Sequence, residues 1–374
     1  MAYPEFKLER WQSLRELKAK INLSESGIHP LKIQVNLLPD EIEAGYGDTK
    51  GSAKLREAIS HTYTHCDAGN ILITCGGAEA NFTAVNSLIK RGDRVCCMMP
   101  NYMQIPGLLS ELGAHVDHFW LKGEDFEFDE DEFERALRED TRLIVLTSPN
   151  NPTGTVLTRD QLEYIADRAM HVGAYVLCDE VYRGLELGVE TPPSIVEVYD
   201  KGVATSSLSK VYGLAGLRIG WVAGPREVVE RAWAAKDYSS ISPPIMSQEY
   251  ATKILESRRE LLDRAKKIVA SNSRMVYQIP EFTRFFQARR IIACPFVFVR
   301  TKFTDDTWSY CESIFKEWGI LVNPGECFEL KGYVRIWIGH EDVSWMQQAL
   351  KSLLEATRAY ATKQNVSIDR QQPP

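Results

Sequence analysis

The residues best placed to do chemistry begin at SSLSK (206–210), where Lys210 follows an apolar run and small hydroxyl residues. Lysine is rarely buried unless paired, and burial lowers its pKa toward the neutral amine that Schiff-base chemistry requires. Eight residues on, in GLAGLRIGW, Arg218 offers a fork suited to a phosphate, and Ser207 could add a hydroxyl to the same anion. Read alone, this stretch fits an ordinary surface loop equally well. ITCGGAEANF (73–82) has the form strand end, Gly-Gly, helix. Its amides near Gly77 and Ala78 then sit at a helix N-terminus, a ready anion site, although Gly-Gly before a helix is often only a turn. LTSPNNPTG (146–154) holds Asn151 between two turn-forming prolines. LCDEVYRGL (177–185) places Asp179 at a strand end with Tyr182 three residues later. An Asp there could hold a protonated pyridine-type nitrogen or simply cap a helix.

The bulk composition sets the frame for these residues. A chain of 374 residues is about right for two domains. Its net charge of -7 offers nothing to a polyanion, which argues against nucleic acid. The eight cysteines show no metal-ligand spacing, and several lie in apolar runs where a reduced thiol acts as a small hydrophobe. That pattern, with a charged N-terminal stretch and no membrane-spanning run, gives the expectation of a reducing, cytoplasmic setting and no membrane partner.

The elements that must carry the site are legible from periodicity. Short apolar runs at 71–75, 95–99, 116–120, 143–147, 175–178, 203–206 and 219–223 read as strands. Helical patterns at 78–90, 131–138, 159–171 and 246–271 fall between and after them. This alternation predicts an α/β fold with a mostly parallel sheet wrapped by helices. Beyond about 274 the texture changes, with strands expected at 295–300, 320–322 and 334–338 and helices at 307–317 and 343–360. The division expected is a large domain at 45–274 and a smaller α+β domain built from 1–44 and 275–374, ending in a polar, frayed tail.

Taken in order, YGDTKGSAKLR, ITCGGAEA, MMPNY, SPNNPTG, LCDEVY, SLSK with GLRIGW, and VRIWIG resemble the class I/II aminotransferases of pyridoxal-phosphate (PLP) fold type I. The resemblance runs from about residue 46 to 340. It implies PLP held as an internal aldimine on Lys210, which also moves the substrate's α-proton. It implies Asp179 on the pyridine nitrogen and Asn151 with Tyr182 on the phenolic oxygen. Tyr102 would stack on the ring, while Gly77, Ala78, Ser207 and Arg218 would form the phosphate cup. Tyr46 would reach the neighbouring subunit's phosphate, making the enzyme a homodimer. Arg335 would clamp the α-carboxylate of an amino acid substrate, an α-keto acid being the second partner.

The N-terminal stretch INLSESGIHPL (21–31) departs from the family's usual Gly-x-Pro pattern, and Ser26-Gly27 only roughly matches it. Gly27 is the substrate-binding candidate there. LSESG is loosely similar to the capreomycidine synthase branch, which implies a second possibility: β- or γ-elimination, replacement or cyclisation in specialised amino-acid metabolism. Glu25 and Asp237 would favour a cationic substrate side chain if both faced the pocket, and Arg183 beside Tyr182 is open to either role.

Overall fold

The computed structural model describes residues 3–34, 41–287 and 289–365. The polar tail expected to fray lies, from 366 onward, outside the described residues. Thirteen strands occur among the described residues. The first, β1 (Ile21–Asn22), belongs to the smaller part of the molecule. The next seven are β2 (Ile71–Thr74), β3 (Arg94–Met99), β4 (His115–Trp120), β5 (Thr141–Thr147), β6 (Tyr175–Asp179), β7 (Gly202–Ser207) and β8 (Gly220–Ala223). They form one sheet in the order β2-β8-β7-β6-β5-β3-β4. Each of the seven expected strands is present within two residues of its anticipated ends.

The pairs among β7, β6, β5, β3 and β4 are parallel, whereas β8 runs antiparallel to both β7 and β2. Strands β2, β6 and β7 are buried along their whole length, as sheet strands covered on both faces must be. Among the helices that pack on this sheet, Gly77–Leu88 starts three residues beyond the end of β2. Two helices, Ile245–Leu255 and Arg258–Gln278, replace the single one expected at 246–271. Helix-forming residues continue through the break at 256–257, so periodicity alone reads across it.

The smaller part contains β9 (Phe286–Gln287), β10 (Phe296–Thr301), β11 (Ile320–Leu321), β12 (Asn323–Pro324) and β13 (Tyr333–Trp337). Strands β12, β13, β10 and β9 make an antiparallel sheet in that order, and β1 pairs in parallel with β11. The N-terminal segment thereby joins the C-terminal elements. The segment that follows bridges the two parts: Ile28 N–H donates to the carbonyl of Lys210, past β7, at 2.9 Å, and His29 N–H to that of Gly339, past β13, at 2.9 Å. The eight cysteines are unpaired, and six are buried. No helix among the described residues is long and apolar enough to cross a membrane, and no metal-ligand cluster occurs among them.

Candidate active site

A cavity of about 290 Å³ opens where the parallel strands end. Thr147, Asp179 and Ser207, the last residues of β5, β6 and β7, all line it. Carboxyl ends of such strands are where α/β sheets bind ligands, because helix N-termini and loop side chains converge there. Lys210 lies three residues past β7, and its Nζ donates to the Ser26 hydroxyl at 2.8 Å. Burial pushes its pKa down; the Glu25 carboxylate partly opposes this and the Arg335 guanidinium adds to it. The lysine therefore reaches its neutral form at lower pH than a free one does.

Asp179 is 5% exposed. Its Oδ2 accepts from Asn81 Nδ2 at 2.9 Å and its Oδ1 from the Val181 amide at 3.2 Å. Burial raises its pKa, with the Asn81 bond working against that rise. A carboxylate held so deep calls for a cationic partner in the cavity. Asn81 is itself fixed, since its Oδ1 accepts from Thr205 Oγ1 at 2.6 Å and its Nδ2 also reaches Gln104 Oε1 at 3.1 Å.

The anion end is assembled from three separate segments. Gly76 precedes the helix with φ +81°, a conformation that favours glycine, and a Cβ there would lie 2.3 Å from Arg218 Nη2. Arg218 Nη1 reaches Ser209 Oγ at 3.5 Å, and Ser207 and Ser209 both face the cavity beside Gly77 and Ala78. Two hydroxyls, one guanidinium and a helix N-terminus suit a phosphate dianion. At the other end the Tyr182 hydroxyl is buried near Ser26 and makes no well-formed hydrogen bond among the described residues, and Asn151 lines the same wall. Tyr102 forms a side wall, its hydroxyl donating to Glu9 Oε1 at 2.8 Å and its ring 4.9 Å from that of Phe6.

Arg335, on β13, is 1% exposed and sits directly behind Asn151 rather than in the cavity wall. It donates from Nη1 to Asn151 Oδ1 at 2.7 Å and from Nη2 to the Ser24 carbonyl at 3.0 Å. Both acceptors are neutral, its Nε has no acceptor, and it has no ion-pair partner among the described residues.

Other anticipated residues lie elsewhere. Gly27 is outside the cavity; a Cβ on it would meet the Ser209 carbonyl at 3.1 Å, so it backs the Lys210 loop. Tyr46 is 72% exposed on the outer surface. Asp237 is exposed at the C-cap of helix Arg226–Lys236, away from the cavity within this chain. Arg183 pairs with Glu197 at 3.3 Å and does not line the cavity. Conversely, Ser26, Asn81, Ser209, Glu9 and Gln12 line it without having been singled out as site residues. Each is a common residue type in a common local pattern, so nothing local marks it.

The donor set fits PLP: an anion cup at one end, a buried carboxylate for a ring nitrogen, and a buried phenol for an oxygen substituent. Comparison with known proteins agrees. Residues 29–353 match the family model described as aminotransferase class I and II. This chain belongs to the class I and II aminotransferase family. It is 30% identical over 313 residues to an aspartate aminotransferase of Streptomyces avermitilis, covering 78% of this chain and 76% of that one. Capreomycidine synthase of Streptomyces vinaceus is 27% identical over 356 residues, with 90% and 89% covered. The crystal structure of a PLP-dependent aminotransferase from Streptococcus suis superposes with a TM-score of 0.88 at 30% identity, covering both chains fully. The aminotransferase-family chain is thus a PLP-dependent enzyme of fold type I.

Proposed function

We propose that this enzyme transfers the amino group of an α-amino acid to an α-keto acid, with Lys210 as the cofactor-bearing amine. The observation that carries this reading is Arg335, a buried guanidinium with only neutral acceptors, one side chain removed from the lysine cavity. An uncompensated buried charge is costly, and a bidentate α-carboxylate would complete it. Bound PLP would supply an electron sink for the charge left when a substrate bond to the α-carbon breaks. Asp179, aligned by Asn81, would hold the ring nitrogen protonated, and Tyr182 with Asn151 would meet the ring oxygen. Lys210, its pKa lowered by burial, would take the α-proton and return it at the adjacent position. Gly77, Ala78, Ser207, Ser209 and Arg218 would anchor the phosphate so that the ring cannot drift from Lys210. Tyr46, exposed here, would complete that cup in a second copy, making the working form a homodimer with the large domain, 45–274, at its centre.

A second reading is elimination, replacement or cyclisation from the same site. The greater reach of the capreomycidine synthase match, 90% of this chain against 78%, favours keeping it. Mixing the holoenzyme with a panel of amino acids, without keto acid, separates the two. Transamination predicts one equivalent of keto acid and conversion of the cofactor to its amine form. Repeated turnover with release of ammonia or another leaving group would overturn transamination in favour of the second reading.

A further inference from the structure

The charges around the cavity can be matched to a bound cofactor and an α-carboxylate one by one. Arg218 would meet the cofactor phosphate, Asp179 a ring nitrogen and Lys210 the reacting carbon, while Arg335 would take the carboxylate. Two charged residues in the cavity wall have no counterpart in that scheme: Glu9 and Glu25. Glu9 comes from helix Lys7–Ser13 and Glu25 from the segment following β1. Neither makes an ion pair among the described residues; Glu9 receives only the neutral Tyr102 hydroxyl. Both act electrostatically on Lys210, and Glu9 also acts on Arg335, so both lie within reach of the reacting centre. The remaining cavity residues from this N-terminal wall, Leu8, Gln12 and Ser26, carry no charge. A substrate with a distal carboxylate would meet two like charges there and no cation among the described residues of that wall. A distal ammonium or guanidinium would find two acceptors.

Resting on the aminotransferase reading above, we propose that Glu9 and Glu25 form the side-chain subsite and select α-amino acids with a cationic side chain. The pair differs from the one suggested by the sequence, because Asp237 faces solvent and Glu9 takes its place. Orientation follows from the wall they share: Ser26, whose hydroxyl accepts from Lys210 at 2.8 Å, adjoins Glu25 and lines the cavity together with Glu9 of the N-terminal helix.

The test uses PLP-loaded enzyme with lysine, ornithine and arginine against norleucine, citrulline and glutamate. The readout is kcat/KM for the change in the cofactor's absorption band. The cationic amino acids should exceed their neutral analogues by roughly tenfold or more. Glu9→Gln keeps the Tyr102 acceptor and should shrink that preference by about tenfold; Glu25→Gln, more exposed, by about threefold. Raising the salt concentration should weaken the preference in wild type. Equal use of norleucine or glutamate by wild type, or an unchanged preference in both variants, would overturn the subsite. If no amino acid of any charge alters the band, the amino-acid reading falls and the subsite with it. A cationic preference accompanied by repeated turnover supports the subsite while overturning transamination alone.

Discussion

Replacing Asn81 by Leu should loosen the cofactor without unfolding the protein. The Asn81 amide gives Asp179 one of its two hydrogen bonds, at 2.9 Å, and the other comes from the Val181 backbone. A hydrogen bond to a charged group contributes about 1.5–3 kcal/mol. Its loss leaves Asp179 nearer its protonated form, since burial already raises its pKa, and a neutral carboxyl no longer pairs with a ring cation. The cofactor Kd should then rise on the order of 10- to 150-fold. Titration of the apoenzyme with PLP, followed by absorption and circular dichroism, measures this directly. Thr205→Val serves as the companion, because it removes the 2.6 Å bond that orients Asn81 but leaves the amide in place. It should raise Kd by less than Asn81→Leu does. A Kd within threefold of wild type in Asn81→Leu, with the urea midpoint of the apoenzyme unchanged, would refute the claim that Asn81 sets the state of Asp179.

Two further outcomes follow from the geometry. Gly76→Ala puts a methyl 2.3 Å from Arg218 Nη2 at φ +81°, so the guanidinium must leave the anion cup. PLP should be retained about tenfold less well through gel filtration, whereas undiminished retention would show that Arg218 is not needed there. Lys236 is fully buried against the carbonyls of Thr49 and Ile73, and burial pushes its pKa from 10.5 down to about 8. Between those values the unfolded chain binds more protons than the folded one, so stability rises with pH across that window. Urea unfolding should show wild type gaining about 2–3 kcal/mol relative to Lys236→Met between pH 7.5 and 10.5. A pH-independent difference would contradict that assignment.

The sequence by itself determined the strands of the large sheet and singled out Lys210, Asp179, Gly77, Ala78, Ser207 and Arg218, all of which line one cavity. These are local matters. Strands buried on both faces read as apolar runs, Gly76-Gly77 followed by a helical pattern reads as a helix start, and residues just past parallel strand ends converge on one crevice. Less local features escaped. Helix Gln104–Leu112 went unread because Pro106 and Gly107 interrupt its pattern. The antiparallel direction of β8 is set by its connection to β7, not by its composition, which matches that of a parallel strand.

Tertiary structure alone decided which side chains act together. Asn81 meets an Asp 98 residues away and a Thr 124 away. Ser26 meets Lys210, and Asn151 meets Arg335, each across 184 residues. It also put Glu9 into the cavity wall and left Asp237 in solvent. The physical reason is common to all of them. A residue's backbone preference is written in its neighbours, whereas its hydrogen-bond partner is set by which elements pack against one another, and a lone Asn, Ser or Glu looks the same in either setting until they do.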